Sequence, residues 1–167
     1  SQELIELNPT PSSRMMPKVT HSVQHMASLP YERAPEFWQW LMNRPRMSAE
    51  TQLGLAMALL LVKRTQEIRF MEWSHVDLDK AIWTTPADKM KMRKEHRQPI
   101  TEPILQMLER MKDQRRNQRY ILENGGKPLS ENAMLYVVRR FDKITVHGFR
   151  ATCGTWCEEN GVDRETS

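Results

Sequence analysis

Apolar residues recur at helical spacing over most of the chain and alternate with polar ones in only one stretch. Phe37, Trp40 and Leu41 share one face of a short helix opened by Ala34-Pro35, since residues three and four apart line one side of a 3.6-residue repeat. Ser48 suits the cap of a second helix, which runs through Leu53 to about Lys63. After Gln52 it is apolar nearly all round, so it is expected to be the buried central helix. A third helix is expected from Glu67 to Trp73, capped by Thr65. A fourth opens at Thr101-Glu102-Pro103 and turns Ile104, Leu105, Leu108 and Met111 inward. A fifth opens at Ser130-Glu131-Asn132 and runs through Phe141, with Leu135, Val138 and Phe141 inward. The last begins at His147, reaches about Asn160 and is ended by Gly161.

Between these helices the period changes to two. His75 to Leu78 and Ala81 to Thr85 read as strands joined by a turn at Asp79-Lys80, and Arg97 to Ile100 returns as a third, with Pro99 suiting an edge. The charged connection Asp88 to Glu95 forms a basic loop at the tip. Gly125-Gly126 is a turn too short to cradle a phosphate. The expected fold class is therefore mainly α with a small three-stranded antiparallel sheet, α+β. Residues 1–28 read as a linker, because Asn8-Pro9-Thr10-Pro11-Ser12-Ser13 is rich in breakers and no period is sustained. Residues 29–167 form the expected folded domain.

Composition narrows the partners. The chain has 167 residues, enough for one domain with a core, and a formal charge of +4. That excess permits a polyanionic partner without demonstrating one. Two cysteines do not make a disulfide framework. The longest apolar run, Leu55 to Val62, is far shorter than the roughly 20 residues of a membrane helix. No signal peptide opens the chain. A soluble, intracellular protein without a membrane partner is expected.

The candidate chemistry centres on His147-Gly148-Phe149-Arg150. Residues at i and i+3 share a helix face. An imidazole and a planar guanidinium there can address one anion, with the guanidinium fork suited to a phosphate, beside the positive end of a helix. Arg64 stands where the apolar helix emerges, and Glu67 is three residues away as a partner. The loop from Lys89 to Lys94 adds lysines that could protonate a leaving oxygen. Arg64, that loop, His147 and Arg150 are thus four separated places suited to one phosphate. Fixed cations can stabilise a phosphoryl-transfer transition state without a metal. Arg139 and Arg140 lie near the end of the fifth helix, and Arg115 to Arg119 near the end of the fourth. His147, Cys153 and Cys157 have usable helical spacings for a metal, but three ligands lack a fourth and buried cysteines are the commoner explanation.

From about residue 28 to the end, the chain resembles the tyrosine recombinases, in particular the phage integrases of prophages and genomic islands. The resemblance rests on the order and spacing of Leu60 to Glu67, Met90 to Arg93 with His96 to Ile100 behind it, Pro128 to Asn132, and His147 to Thr152. It implies the catalytic fold of these DNA breaking and rejoining enzymes. It implies that Arg64, Lys91, His147 and Arg150 are catalytic, with Lys89 and Lys94 as alternatives to Lys91. Glu67 would support Arg64, and Arg93, Arg139 and Arg140 would contact DNA. The implied reaction is attack of a tyrosine on a DNA phosphodiester, giving a 3′-phosphotyrosyl link. Neither a metal nor a nucleotide cofactor is implied. The implied partners are double-stranded DNA attachment sites and, for the full-length protein, the other protomers of a tetrameric synaptic complex. The implied location is the bacterial cytoplasm, at the nucleoid when bound to DNA.

Two departures from the family pattern stand out. Val62 and Gln66 occupy positions where the family usually has glycines. Tyr31, Tyr120 and Tyr136 all precede His147, so none holds the nucleophile's place. The expectation is a catalytic domain that is incomplete at its C-terminal end, unable to cleave alone and lacking the N-terminal DNA-binding domains. A non-catalytic helical DNA-binding module is the competing reading. In it Arg64, Arg93, Arg139 and Arg150 would only touch backbone phosphates, without a buried Arg–Glu pair.

Overall fold

The computed structural model describes residues 27–89, 93–114 and 118–162. The expected linker, apart from Ala27 and Ser28, and the loop lysine Lys91 lie outside the described residues.

Helix α2 (Ala49–Leu60) is the centre of the molecule. Ser48 caps it, its Oγ accepting the Thr51 N–H at 3.2 Å. Leu53, Leu55, Ala56, Met57 and Ala58 are all buried, which covers every side of the helix. Around it pack α1 (Ala34–Met42), α3 (Thr65–Arg69), α4 (Glu102–Gln114), α5 (Glu131–Val138) and α6 (Gly148–Glu159). Glycine at position 54 permits a close approach of α5, because a Cβ there would lie 2.7 Å from the sulfur of Met134. Phe37 and Leu41 of α1 and Ile104 and Leu108 of α4 are fully buried, as their spacing predicts.

The sheet has the order β1 (Val76–Asp77), β2 (Ile82–Thr85), β3 (His96–Pro99), all antiparallel. Trp83 pairs with Gln98 and Ile82 with Pro99, so Pro99 lies on an edge strand. Trp83 and Thr85 turn inward from β2 and are buried. A second, two-stranded ladder joins β4 (Glu123–Asn124) to β5 (Lys127–Pro128) across Gly125-Gly126. Both glycines have positive φ, +61° and +81°, as a tight hairpin turn requires.

Four elements differ from their sequence patterns. Helix α2 ends at Leu60, short of the expected Lys63, where Leu61 caps it and the chain turns. Helix α3 stops at Arg69 and not at Trp73, and Arg64, not Thr65, holds its N-cap position. The backbone beyond it is engaged elsewhere: the Met71 carbonyl accepts the Ile121 N–H at 3.0 Å, and the Trp73 N–H donates to the Arg119 carbonyl at 3.1 Å. A helix could not continue while those groups pair across the chain. The first expected strand is shortened, since Trp73–His75 form a 3-10 turn. Helix α5 ends at Val138 and not Phe141, and Met134, not Leu135, is its fully buried residue beside Val138.

Helix α6 starts against the beginning of the described chain. The Thr145 N–H donates to the Ala27 carbonyl at 3.0 Å, and the Thr152 hydroxyl to the Leu29 carbonyl at 2.5 Å. A Cβ at position 148 would fall 2.4 Å from the Ala27 oxygen. The glycine between His147 and Phe149 is therefore the residue that lets this helix start dock.

Candidate nucleic-acid interface

The turn from Leu61 to Arg64 joins α2 to α3 and gathers bonds from three directions. The Leu61 carbonyl accepts the Gln98 side-chain amide of β3 at 3.1 Å. The Val62 carbonyl accepts Nη1 of Arg150 from α6. The Arg64 N–H donates to Oε2 of Glu67 at 2.9 Å. Val62 itself has φ +54°, in the left-handed region that costs a β-branched residue about 1–2 kcal/mol. The turn therefore adopts the backbone shape a glycine would take without strain, and the surrounding bonds hold it there.

These bonds bring Arg64 and Arg150 to the same turn, although 86 positions separate them in the sequence. The Arg64 guanidinium stands 3.7 Å from Oε1 of Glu67. Its side chain is 59% exposed and that of Glu67 only 15%. Glu67 is thus within reach of Arg64, as the spacing predicts, but the burial is on the side of the carboxylate. The carboxylate is the covered group, spent on the backbone, and the guanidinium faces solvent. His147 is exposed at the N-cap of α6, one helical turn before Arg150.

The other candidates fall in different surroundings. Lys91 lies outside the described residues. Lys89 donates to Oε1 of Glu72 at 2.5 Å, and Arg119 donates to the same oxygen at 3.0 Å. Hydrogen bonding from Arg119, then from Lys89, holds the Glu72 carboxyl down at about 2. Arg93 and Lys94 are exposed, Arg93 with φ +50°. Arg139 is exposed at the C-cap of α5. Arg140 donates to the Tyr136 hydroxyl at 3.2 Å and stacks over that ring. Among the described residues no group of three His, Cys, Asp or Glu side chains is placed to hold a metal ion.

Sequence reasoning passed over two groups. Glu72 is 9% exposed and ties Lys89 to Arg119; an isolated glutamate after a short helix gives no signal of that. Lys63 is half-buried over Trp83, its Nζ 5.5 Å from the ring centroid. Its signal was present, as a lysine directly following the apolar helix.

The fold has counterparts among solved structures. The integrase of transposon Tn1549, solved with a circular intermediate DNA, matches with a TM-score of 0.68 over 86% of this chain and 57% of that one, at 12% identity. XerA recombinase matches with a TM-score of 0.65 over 86% of this chain and 54% of that one, at 18% identity. The fold is accordingly that of recombinase catalytic domains. By sequence, the integrase of Enterobacteria phage P4 is 26% identical over 175 aligned residues, covering 89% of this chain and 39% of its own length. The chain belongs to the phage integrase family, whose model matches residues 36–166. It spans about two fifths of the length of the phage P4 relative.

Proposed function

We propose that this chain binds the scissile phosphate of a DNA attachment site in a prophage-type integrase, within a site-specific tyrosine recombinase. The observation that carries the reading is the convergence of Arg150 and Arg64 on one turn, through the Val62 carbonyl. Two guanidiniums presented beside the turn that follows the buried helix can hold the non-bridging oxygens of one phosphodiester and stabilise charge as it develops there. Glu67 braces the backbone that presents Arg64. His147, one turn from Arg150, assists proton transfer, and Lys91 protonates the departing 5′ oxygen. Lys89 is the weaker choice for that role, since its ammonium is bound to Glu72. Arg93, Arg139 and Arg140 add backbone contacts along the duplex. The reading gives the nucleophile's role to none of Tyr31, Tyr120 and Tyr136, which all precede His147. Four protomers on two DNA sites complete the reaction, in the bacterial cytoplasm.

A double-mutant cycle on duplex binding tests the reading against the simpler DNA-binding module. Arg64→Ala, Arg150→Ala and the double variant are titrated with a short fluorescein-labelled duplex. Two arginines on one phosphate should be coupled by at least about 0.5 kcal/mol, whereas separate backbone contacts add within about 0.3–0.5 kcal/mol. Additive losses would move the assignment to the module.

A further inference from the structure

Lys63 immediately precedes Arg64 and lies outside the set of residues that the family resemblance supplies. Its ammonium sits over the indole of Trp83, a residue 1% exposed on β2. A cation over a tryptophan face is attracted by the ring and held in place. The charged groups that face it are Glu67 from α3, Arg150 from α6 and Arg64 beside it. Three cations thus share one turn with one carboxylate. That carboxylate already accepts the Arg64 N–H at 2.9 Å.

The position is unfavourable for a charged lysine in the free protein. Burial pushes its ammonium toward deprotonation, and Arg150 and Arg64 push in the same direction. Only Glu67 opposes them. A phosphate diester at Arg64 and Arg150 would supply the missing negative charge. The indole contact holds the ammonium within electrostatic range of both arginines.

We infer that Lys63 is a third cation of the phosphate site, its ammonium contacting the bound DNA phosphate together with Arg64 and Arg150. This rests on the phosphate-site reading given above. A consequence follows from the depressed proton affinity of the free protein. As pH rises, Lys63 loses its proton before an ordinary lysine would, and DNA affinity falls with it. Arginine at the same place keeps its charge and abolishes that fall.

The test measures binding of a short fluorescein-labelled duplex by the full chain, at fixed salt, from about pH 7 to about pH 9.5. Wild type, Lys63→Met, Lys63→Arg and Arg150→Ala are compared. Lys63→Met should weaken binding about fivefold at neutral pH, the loss of one charge-assisted contact, and should flatten the profile. Lys63→Arg should bind as tightly as wild type and also give the flat profile. Lys63→Met should keep or raise the melting temperature, because it removes a half-buried charge at similar volume. If that variant fails to fold, the profile of Lys63→Arg decides. Lys63→Met binding like wild type, or an unchanged profile in Lys63→Arg, would overturn the inference while leaving the phosphate site standing, provided Arg150→Ala binds more weakly. If Arg150→Ala also binds like wild type, the phosphate-site reading fails and this inference with it.

Discussion

Glu67 and Glu72 stand five residues apart, each beside two or more cations, and they do opposite things. Glu67 gives one oxygen to the Arg64 N–H at 2.9 Å and leaves the Arg64 guanidinium 3.7 Å away and largely in solvent. Glu72 takes Lys89 at 2.5 Å and Arg119 at 3.0 Å on a single oxygen. The first carboxylate shapes the backbone and leaves its cations available to an outside anion. The second pairs its cations directly on one covered oxygen, although the Arg119 side chain is itself 67% exposed. Basic residues counted along a sequence do not separate these cases. What the nearby carboxylate is bonded to does, and that separates the turn at Arg64 from the basic cluster at Lys89.

The largest effect on stability should come from Glu72. Glu72→Ala strips two ion pairs from a mostly covered site and should cost about 2 kcal/mol in urea denaturation. Its pH dependence has a defined sign. The folded carboxyl titrates at about 2, below the roughly 4.3 of a free glutamate. The stabilisation is therefore fully present above about pH 5 and lost as pH falls toward 2. Glu72→Gln should remove that component of the acid limb. An unchanged acid limb in the glutamine variant would show that Glu72 does not hold Lys89 and Arg119 in solution.

Glu67→Ala should cost less, about 1 kcal/mol, because it removes one bond to a helix-start N–H and a long ion pair. No cation is lost, so the salt dependence of DNA binding should stay as in wild type. A loss as large as that of Glu72→Ala would erase the contrast between the two carboxylates.

Much of this was legible in the sequence where the cause is local. The all-round apolar run after Gln52 marks α2 as central, the alternation around Trp83 marks the sheet, and Pro99 marks its edge. The short α3 was not legible, because it stops when Met71 and Trp73 pair with Ile121 and Arg119, about 50 residues on. The bond from Arg150 to the Val62 carbonyl spans 88 positions and leaves no trace in either segment's periodicity. The resemblance to recombinases pointed to Arg64 and Arg150. It marked Val62 as standing where the family usually has a glycine, but not that Val62 would take a left-handed φ, nor that Lys63 would be half-buried beside them.

The central claim is that Arg150, which donates to the neutral Val62 carbonyl, keeps its charge for a phosphate, whereas Arg119 is paired with the Glu72 carboxylate. The direct measurement is the slope of log affinity against log salt for duplex binding, in Arg150→Ala and Arg119→Ala side by side. Arg150→Ala should make the slope shallower by up to about 0.9, one phosphate contact, and Arg119→Ala should leave it within about a third of that. Equal changes in the two variants, or a larger one in Arg119→Ala, would contradict the claim.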